Sequence, residues 1–157
     1  MTDADRRIAY RRCVGAFATG VTVVTARADD ERAGMTLNAF TSVSLDPLLV
    51  CVCLAHGTRT LDVVRRAGSF AVSVLEASQQ DVALAFARPG SPFPGEHVEE
   101  AGGQLPVAGA LAVLRCELEQ LVAAGDHDVA IGRVVDFESR DGAPLVFHQG
   151  AFAAVRG

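Results

Sequence analysis

No stretch of this 157-residue chain is long enough to cross a membrane as a helix. The longest unbroken apolar run, Leu48 to Ala55, falls far short of the ~18 residues that a span needs. An excess of basic residues is also missing: 14 Lys+Arg stand against 19 Asp+Glu for a net charge of −5, which gives no electrostatic footprint for nucleic acid. Arg6, Arg7, Arg11 and Arg12 form a local cluster, read as the solvated face of a first helix or as an anion or partner site. No cysteine framework is evident. Cys51 and Cys53 are one residue apart in a strand-like run, without the two-residue gap of common zinc sites, and Cys13 and Cys116 are isolated. The four read as thiols in a reducing compartment, and a soluble, cytoplasmic protein is expected. His56, His97, His127 and His148 sit at no metal-ligand spacing. There is no Gly-x-Gly-x-x-Gly after a strand, no phosphate-loop Gly-Lys-Ser/Thr and no Gly-x-Ser-x-Gly elbow. A nucleotide would therefore not be held in a Rossmann domain. Arginines ahead of Cys13 to Ala26 imitate a secretion signal, but Gly15, Thr19, Gly20, Thr22 and Thr25 replace its leucine-rich core.

What is present is half apolar and 21% charged, the balance of a packed globular protein, and residues 1–157 fit one domain. Helical spacing of Ile8, Val14, Phe17 and Ala18 predicts an amphipathic helix over 5–18. Strands are predicted over 21–28, from 35 to the Asp46-Pro47 stop, and over 48–54, the last buried on both faces. A short helix follows over 58–66 with Thr58 or Thr60 as N-cap, then a strand over 70–75 and a helix over 78–87 capped by Ser78. Residues 88–103, with three prolines and four glycines, read as a long functional loop, a lid or partner surface. Alternation predicts that Ala112, Leu114, Cys116 and Leu118 face the core, as do Val129, Ile131, Val135 and Phe137 in the strand after Gly125-Asp126-His127. Short strands over 144–147 and 151–155 end the chain. The pattern points to an antiparallel barrel with helical insertions.

Three stretches could carry chemistry. Thr36, Asn38, Ser42 and Ser44 share one parity, so a regular strand would aim these polar groups at one face, toward solvent or as a wall for an uncharged ligand surface. Ala55-His56-Gly57-Thr58-Arg59-Thr60 opens a helix, where free amides and hydroxyls make either an anion site or a simple capped start. Gly125-Asp126-His127-Asp128 fits an acid/base pair, a metal half-site or plain turn chemistry.

Taken in order, Phe17-Ala18-Thr19-Gly20-Val21-Thr22-Val23-Val24-Thr25, Gly34-Met35-Thr36 with Asn38, and Ser42-Val43-Ser44-Leu45-Asp46-Pro47 resemble the short-chain flavin reductase family. So do Phe70 to Leu75, Phe86-Ala87, Gly125-Asp126-His127 and Gly132-Arg133-Val134, at the family's spacing from residue 13 to 155. Members of that family are the reductase components of two-component flavin-dependent monooxygenases. The resemblance implies a mainly β fold, the FMN-binding split β-barrel, antiparallel and Greek-key-like with a few short helices. It implies FMN or FAD as flavin, NADH or NADPH as hydride donor, a homodimer with flavin near the subunit interface, and a monooxygenase partner. On the same ground Thr36, Leu37, Asn38 and Ala39 would line the isoalloxazine, and Ser42, Val43 and Ser44 would follow the ribityl and phosphate region. Ala55, His56, Gly57, Thr58 and Thr60 would hold the phosphate, with Phe86 and Arg88 at the flavin tail. His127 would stand near the nicotinamide and Phe152 would close the site. Relatives carry a Lys/Arg-Ser-Ser run at His56-Gly57 and a Gly-x-Tyr ending at Gln149 to Phe152. The expected reaction is hydride transfer by positioning, which needs no acid/base dyad. Two other readings stay open: a flavoprotein that retains its flavin for a different step, and a barrel that only binds flavin.

Overall fold

The computed structural model describes residues 1–156. After helix α1 (Asp3–Gly15) and the two-residue strand β1 (Thr19–Gly20), turn chemistry divides much of the chain into hairpins. Strands β2 (Thr22–Ala28) and β3 (Glu31–Leu37) pair over their full length around Asp29-Asp30, where Asp29 has φ 53°. An Asp tolerates that left-handed geometry better than most residues. Strands β4 (Phe40–Leu45) and β5 (Leu48–Ala55) turn at Asp46-Pro47. Helix α2 (Arg59–Ala67) starts at Thr58, whose hydroxyl accepts from the Leu61 amide at 3.3 Å, and stops at Gly68 in the left-handed region. Strand β6 (Ser69–Val74), helix α3 (Gln80–Ala85) and a 3-10 turn over Gly95–His97 come next. Two 13-residue strands, β7 (Ala112–Ala124) and β8 (His127–Ser139), form the longest hairpin, and β9 (Leu145–His148) and β10 (Ala151–Ala154) close the chain.

All pairings are antiparallel. Seven strands run in the order β3-β2-β6-β7-β8-β5-β4, and β1, β9 and β10 make a separate three-stranded sheet. The two outermost strands of the large sheet, β3 and β4, are joined by Asn38-Ala39 alone. Seven strands linked this tightly at their extremes have to roll until the edges nearly meet, which is the expected antiparallel barrel, left unclosed at one seam. Val24, Val50, Val52, Leu54, Phe70 and Val72 fill the interior, with α2 packed against it through Leu61, Val63 and Val64. A second cluster joins Val21, Val23 and Leu75 to α3 and to Leu145 of the small sheet.

Several expected faces differ, each for a steric reason. On β8 it is Asp128, Ala130 and Gly132 that point inward, while Val135 and Phe137 are 51% and 63% exposed. The Phe70 ring occupies the interior opposite them. A Cβ added at Gly132 would lie 2.6 Å from its Cζ atom, so only small residues fit, and the apolar alternation marks the outer face. On β7 the expected face holds, with Cys116 buried in the barrel and Leu114 and Leu118 packed against it, while Val113 is buried as well. Strand β5 is buried on one face only, through Val50, Val52 and Leu54. Helix α1 begins at Asp3 through a capping box of Thr2 and Asp5, and none of its residues is buried. The apolar side predicted for it, Ile8, Val14 and Phe17, stays exposed. Helix α3 has no side-chain cap, because the Ser78 hydroxyl and amide donate to Glu76. The 36–44 stretch is not one strand: it breaks at Asn38-Ala39 and shifts register between Ser42 and Ser44, so the polar stripe is divided between the two edges of the seam. Among the described residues no helix is long and apolar enough to cross a membrane.

Candidate functional site

Two clefts flank the seam, and residues on the two sides of Leu37 at its corner line one each. The first, about 530 Å³, is bounded by β3 from Arg32 to Thr36, by the start of α2 from Gly57 to Thr60, and by the segment from Ala85 to Pro94. The second, about 590 Å³, lies between α1 and the barrel; Asn38, Ala39, Phe40, Cys51, Cys53 and Phe147 are among its walls. Both volumes are of the size that holds organic ligands.

In the first cleft the backbone makes a close joint between Gly34 and Phe86. A Cβ at Gly34 would meet the Phe86 ring at 2.9 Å, so glycine lets the ring lie on the strand. The free edge of β3 is covered there: the Thr36 amide donates to the Phe86 carbonyl at 3.2 Å, and its hydroxyl donates to the Ala83 carbonyl at 2.5 Å. Thr36 thus fixes α3 on the strand while its backbone borders the cleft. Opposite, Gly57 has φ 77° and Thr58 donates to the Ala55 carbonyl at 2.8 Å, a tight turn that delivers the first turn of α2. The first-turn amides of Arg59 and Thr60 have no intrahelical acceptor, the arrangement that suits a phosphate oxygen. Arg59 is held by Glu31 at 2.8 Å, and Arg66 also pairs with Glu31; together these hydrogen bonds hold the Glu31 carboxyl below its usual range, Arg59 first.

A third region lies at the β7–β8 turn. His56 donates its amide to the Asp126 carbonyl at 2.9 Å, and Ala55 pairs with His127, so the turn before α2 and the turn carrying His127 abut. His56 Nε2 lies 2.7 Å from Asp128 Oδ1, and Arg65 donates to Asp128 Oδ2 at 3.0 Å. These contacts, His56 first, hold the Asp128 carboxyl below its ordinary value against the opposing effect of burial. His127 Nδ1 meets Asp126 Oδ1 at 2.7 Å in the open, and that bond likewise lowers the Asp126 carboxyl.

The expected residues are therefore distributed. Thr36, Gly57, Thr58, Thr60, Phe86 and Arg88 line the first cleft. Asn38 and Ala39 line the second. Leu37, between them, packs against the core and accepts from the Thr22 hydroxyl at 2.8 Å. Ser42 and Val43 are exposed and Ser44 half-buried on β4, outside both clefts. Ala55, His56 and His127 cluster at the β5 and β8 ends, while Phe152 sits edge-on to Phe147 at 5.8 Å, behind the second cleft. Sequence reasoning missed Arg32 and Phe93, although an aromatic among the prolines of the 88–103 loop was a visible signal. It also missed the thiol wall of the second cleft, where burial and then the neighbouring Cys53 push the Cys51 thiol up. Cys116, inside the barrel, is pushed up to about 12 by burial and has no part in either cleft. No metal-binding cluster of His, Cys, Asp or Glu occurs among the described residues.

Comparison with known proteins agrees with this architecture. Residues 14–156 match the family model described as the flavin reductase like domain. The chain is 43% identical over 142 residues to the reductase component of 4-hydroxyphenylacetate 3-monooxygenase from Thermus thermophilus, covering 90% of this chain and 91% of that one. Among solved structures it superposes on BorF, the flavin reductase component of a bacterial two-component tryptophan halogenase, with TM-score 0.90 and 38% identity over 96% of this chain and 99% of that one. It also superposes on the Streptomyces globisporus NADH:FAD oxidoreductase SgcE6 in complex with NAD and FAD fragments, with TM-score 0.90 and 37% identity over 99% and 96% of the two chains. The chain belongs to the flavin reductase-like family and has its split-barrel fold.

Proposed function

We infer that this chain is an NAD(P)H:flavin oxidoreductase, a single unit over 1–157 that reduces FMN or FAD and delivers reduced flavin to a monooxygenase partner. The observation that carries the reading is the seam: at its corner Thr36 borders a phosphate-suited cleft, and Asn38 and Ala39, two and three residues on, border a mainly apolar one. A flavin has this division of chemistry, an aromatic ring at one end and phosphate at the other. Bound there, it supplies the hydride-accepting ring. The chain's own part is to hold and orient. The amides of Arg59 and Thr60 with Arg88 take the phosphate end, and Asn38, Ala39 and Phe40 offer the ring a flat wall. His127, on the turn that abuts residues 55 and 56, would orient a nicotinamide carboxamide or assist proton balance rather than act as a nucleophile. Related proteins named as NADH-dependent flavin reductases favour NADH as donor.

A second copy completes the assembly. Val43 and Leu45 on β4 and Val135 and Phe137 on β8 are exposed, Leu45 to 85%, apolar side chains of the sort that homodimers cover. Light scattering of the purified protein should give twice the chain mass. The activity is tested by following NADH and NADPH oxidation with riboflavin, FMN and FAD in turn. Acceleration with FMN or FAD is expected, and its absence with every flavin would sink the reading.

A further inference from the structure

Strand β5 presents two faces of different chemistry. Val50, Val52 and Leu54 point into the barrel, and the alternate residues Cys51 and Cys53 stand on the outer face, where both line the second cleft. Both thiols are free and half-buried. On the β4 side Thr41 pairs with Cys51, and the Cys53 amide donates to the Ala39 carbonyl at 3.1 Å. Val14, Phe17, Phe40 and Phe147 make much of the surrounding wall, and no His, Asp or Glu lines the cleft. Neither exposed Cys13 nor buried Cys116 lines it, so Cys51 and Cys53 are its only thiols among the described residues. Burial, and then the neighbouring Cys53, push the Cys51 thiol up, so charge on one sulfur is felt by the other.

Spacing decides what two such sulfurs can share. Alternate residues of a strand are roughly 6.6 Å apart at Cα, with their Cβ atoms at a similar separation. A disulfide needs Cβ atoms about 3.5–4.5 Å apart, so β5 cannot close one while it stays paired with β4 and β8. A single metal ion between the sulfurs fits the spacing. Two metal–sulfur bonds of about 2.3 Å laid end to end span roughly 4.6 Å, which the sulfurs reach by leaning together about 1 Å each. The ligand set then selects the ion. Structural zinc takes four protein ligands, and no group of three or more His, Cys, Asp or Glu suited to a metal occurs among the described residues. Thiolates without carboxylate or imidazole partners select a soft ion such as Cu(I), which is satisfied by two sulfurs in a line. Binding releases the two S–H protons and leaves a bis-thiolate with one net negative charge. Arg11, which lines the cleft from α1 with no carboxylate within ion-pair distance among the described residues, supplies the counter-charge.

We propose that Cys51 and Cys53, side by side on the outer face of β5 in the second cleft, form a two-thiolate site for Cu(I). The inference goes beyond the reductase reading and does not depend on it, because the site is built from thiols to which hydride transfer gives no part.

The test titrates the full chain with Cu(I) under anaerobic conditions, in competition with the coloured chelator bicinchoninate. The wild type should take one Cu(I) per chain from the chelator. Cys51→Ser and Cys53→Ser should each weaken that binding by about tenfold or more while the circular-dichroism melt stays cooperative, and Cys13→Ser should bind as the wild type does. No Cu(I) taken by the wild type, undiminished affinity in a cooperatively melting Cys51→Ser or Cys53→Ser, or loss of binding in Cys13→Ser overturns the proposal. X-ray absorption of the loaded wild type reads the ligands without any substitution. Two sulfur neighbours are expected, and a third sulfur or a nitrogen neighbour would overturn the two-thiolate site. Lost flavin reduction in the wild type would count against the reductase reading alone, since Cu(I) binding is measured without flavin or nicotinamide.

Discussion

Two histidine–aspartate pairs stand within one turn of each other, both at 2.7 Å, and they do different things. In His56–Asp128 the carboxylate side chain is 10% exposed and is gripped a second time by Arg65; in His127–Asp126 it is 95% exposed and has only the histidine. Equal distance therefore does not mean equal energy. The first carboxylate is shielded from water and ties three segments, the end of β5, α2 and the start of β8, so removing it leaves Arg65 without its counter-charge and His56 without its hydrogen-bond partner. The second is screened by solvent and contributes little to stability, which leaves His127 free to meet a ligand.

Asp128→Ala should break the comparison most visibly. It is expected to give the largest fall in melting temperature and a raised flavin KM, because the turn before α2 loses its anchor. An unchanged melt would mean that the buried pair is as dispensable as the exposed one. Acid provides the same test without mutation. Asp128 titrates below its unfolded value, so its contribution is complete above about pH 4 and fades as pH falls through the lower native value. The melting temperature of Asp128→Ala should accordingly approach that of wild type in strong acid.

Next in size is Gly132→Ala, four residues along the same strand. The added methyl would meet Phe70 at 2.6 Å and Cys116 at 2.9 Å, for a loss of about 1–3 kcal/mol in denaturant unfolding. A neutral result would show that the interior of β8 is not set by the Phe70 ring. His127→Ala should leave the melt nearly intact while lowering turnover or raising the KM for NADH, and wild-type kinetics in that variant would remove His127 from the site. The smallest change is expected from Asp126→Ala, with no measurable shift in melting temperature.

How much of this was legible in the sequence depended on whether local chemistry or distant packing set the outcome. Thr58 capping α2 and the Gly125 turn follow from neighbours in the chain, and each was visible as such. The inward face of β8 was not, because the reason for Ala130 and Gly132 lies in Phe70, some sixty residues earlier, and Val135 and Phe137 supply a more apolar but outward parity. The candidate site divides likewise. The helix-start residues and the His127 turn can be singled out from the chain alone, whereas Arg32 and Phe93 become neighbours only when the 88–103 loop folds back over β3. Asp128 was visible as part of a turn motif, yet its two partners come from residues 56 and 65.

The two-residue link Asn38-Ala39 also bears on how the chain reaches this state. The hairpins on either side of it, and the β7–β8 hairpin, can form from near neighbours, but the ring of strands is completed when β5 docks on β8 in a register joining Val50 to Gly132. Pairing across so much intervening chain carries a large loop-closure entropy and is slow. The docking of these two strands is thus expected to limit folding, so Val50→Ala should slow refolding in stopped-flow mixing, and a change confined to the unfolding rate would place β5 late instead.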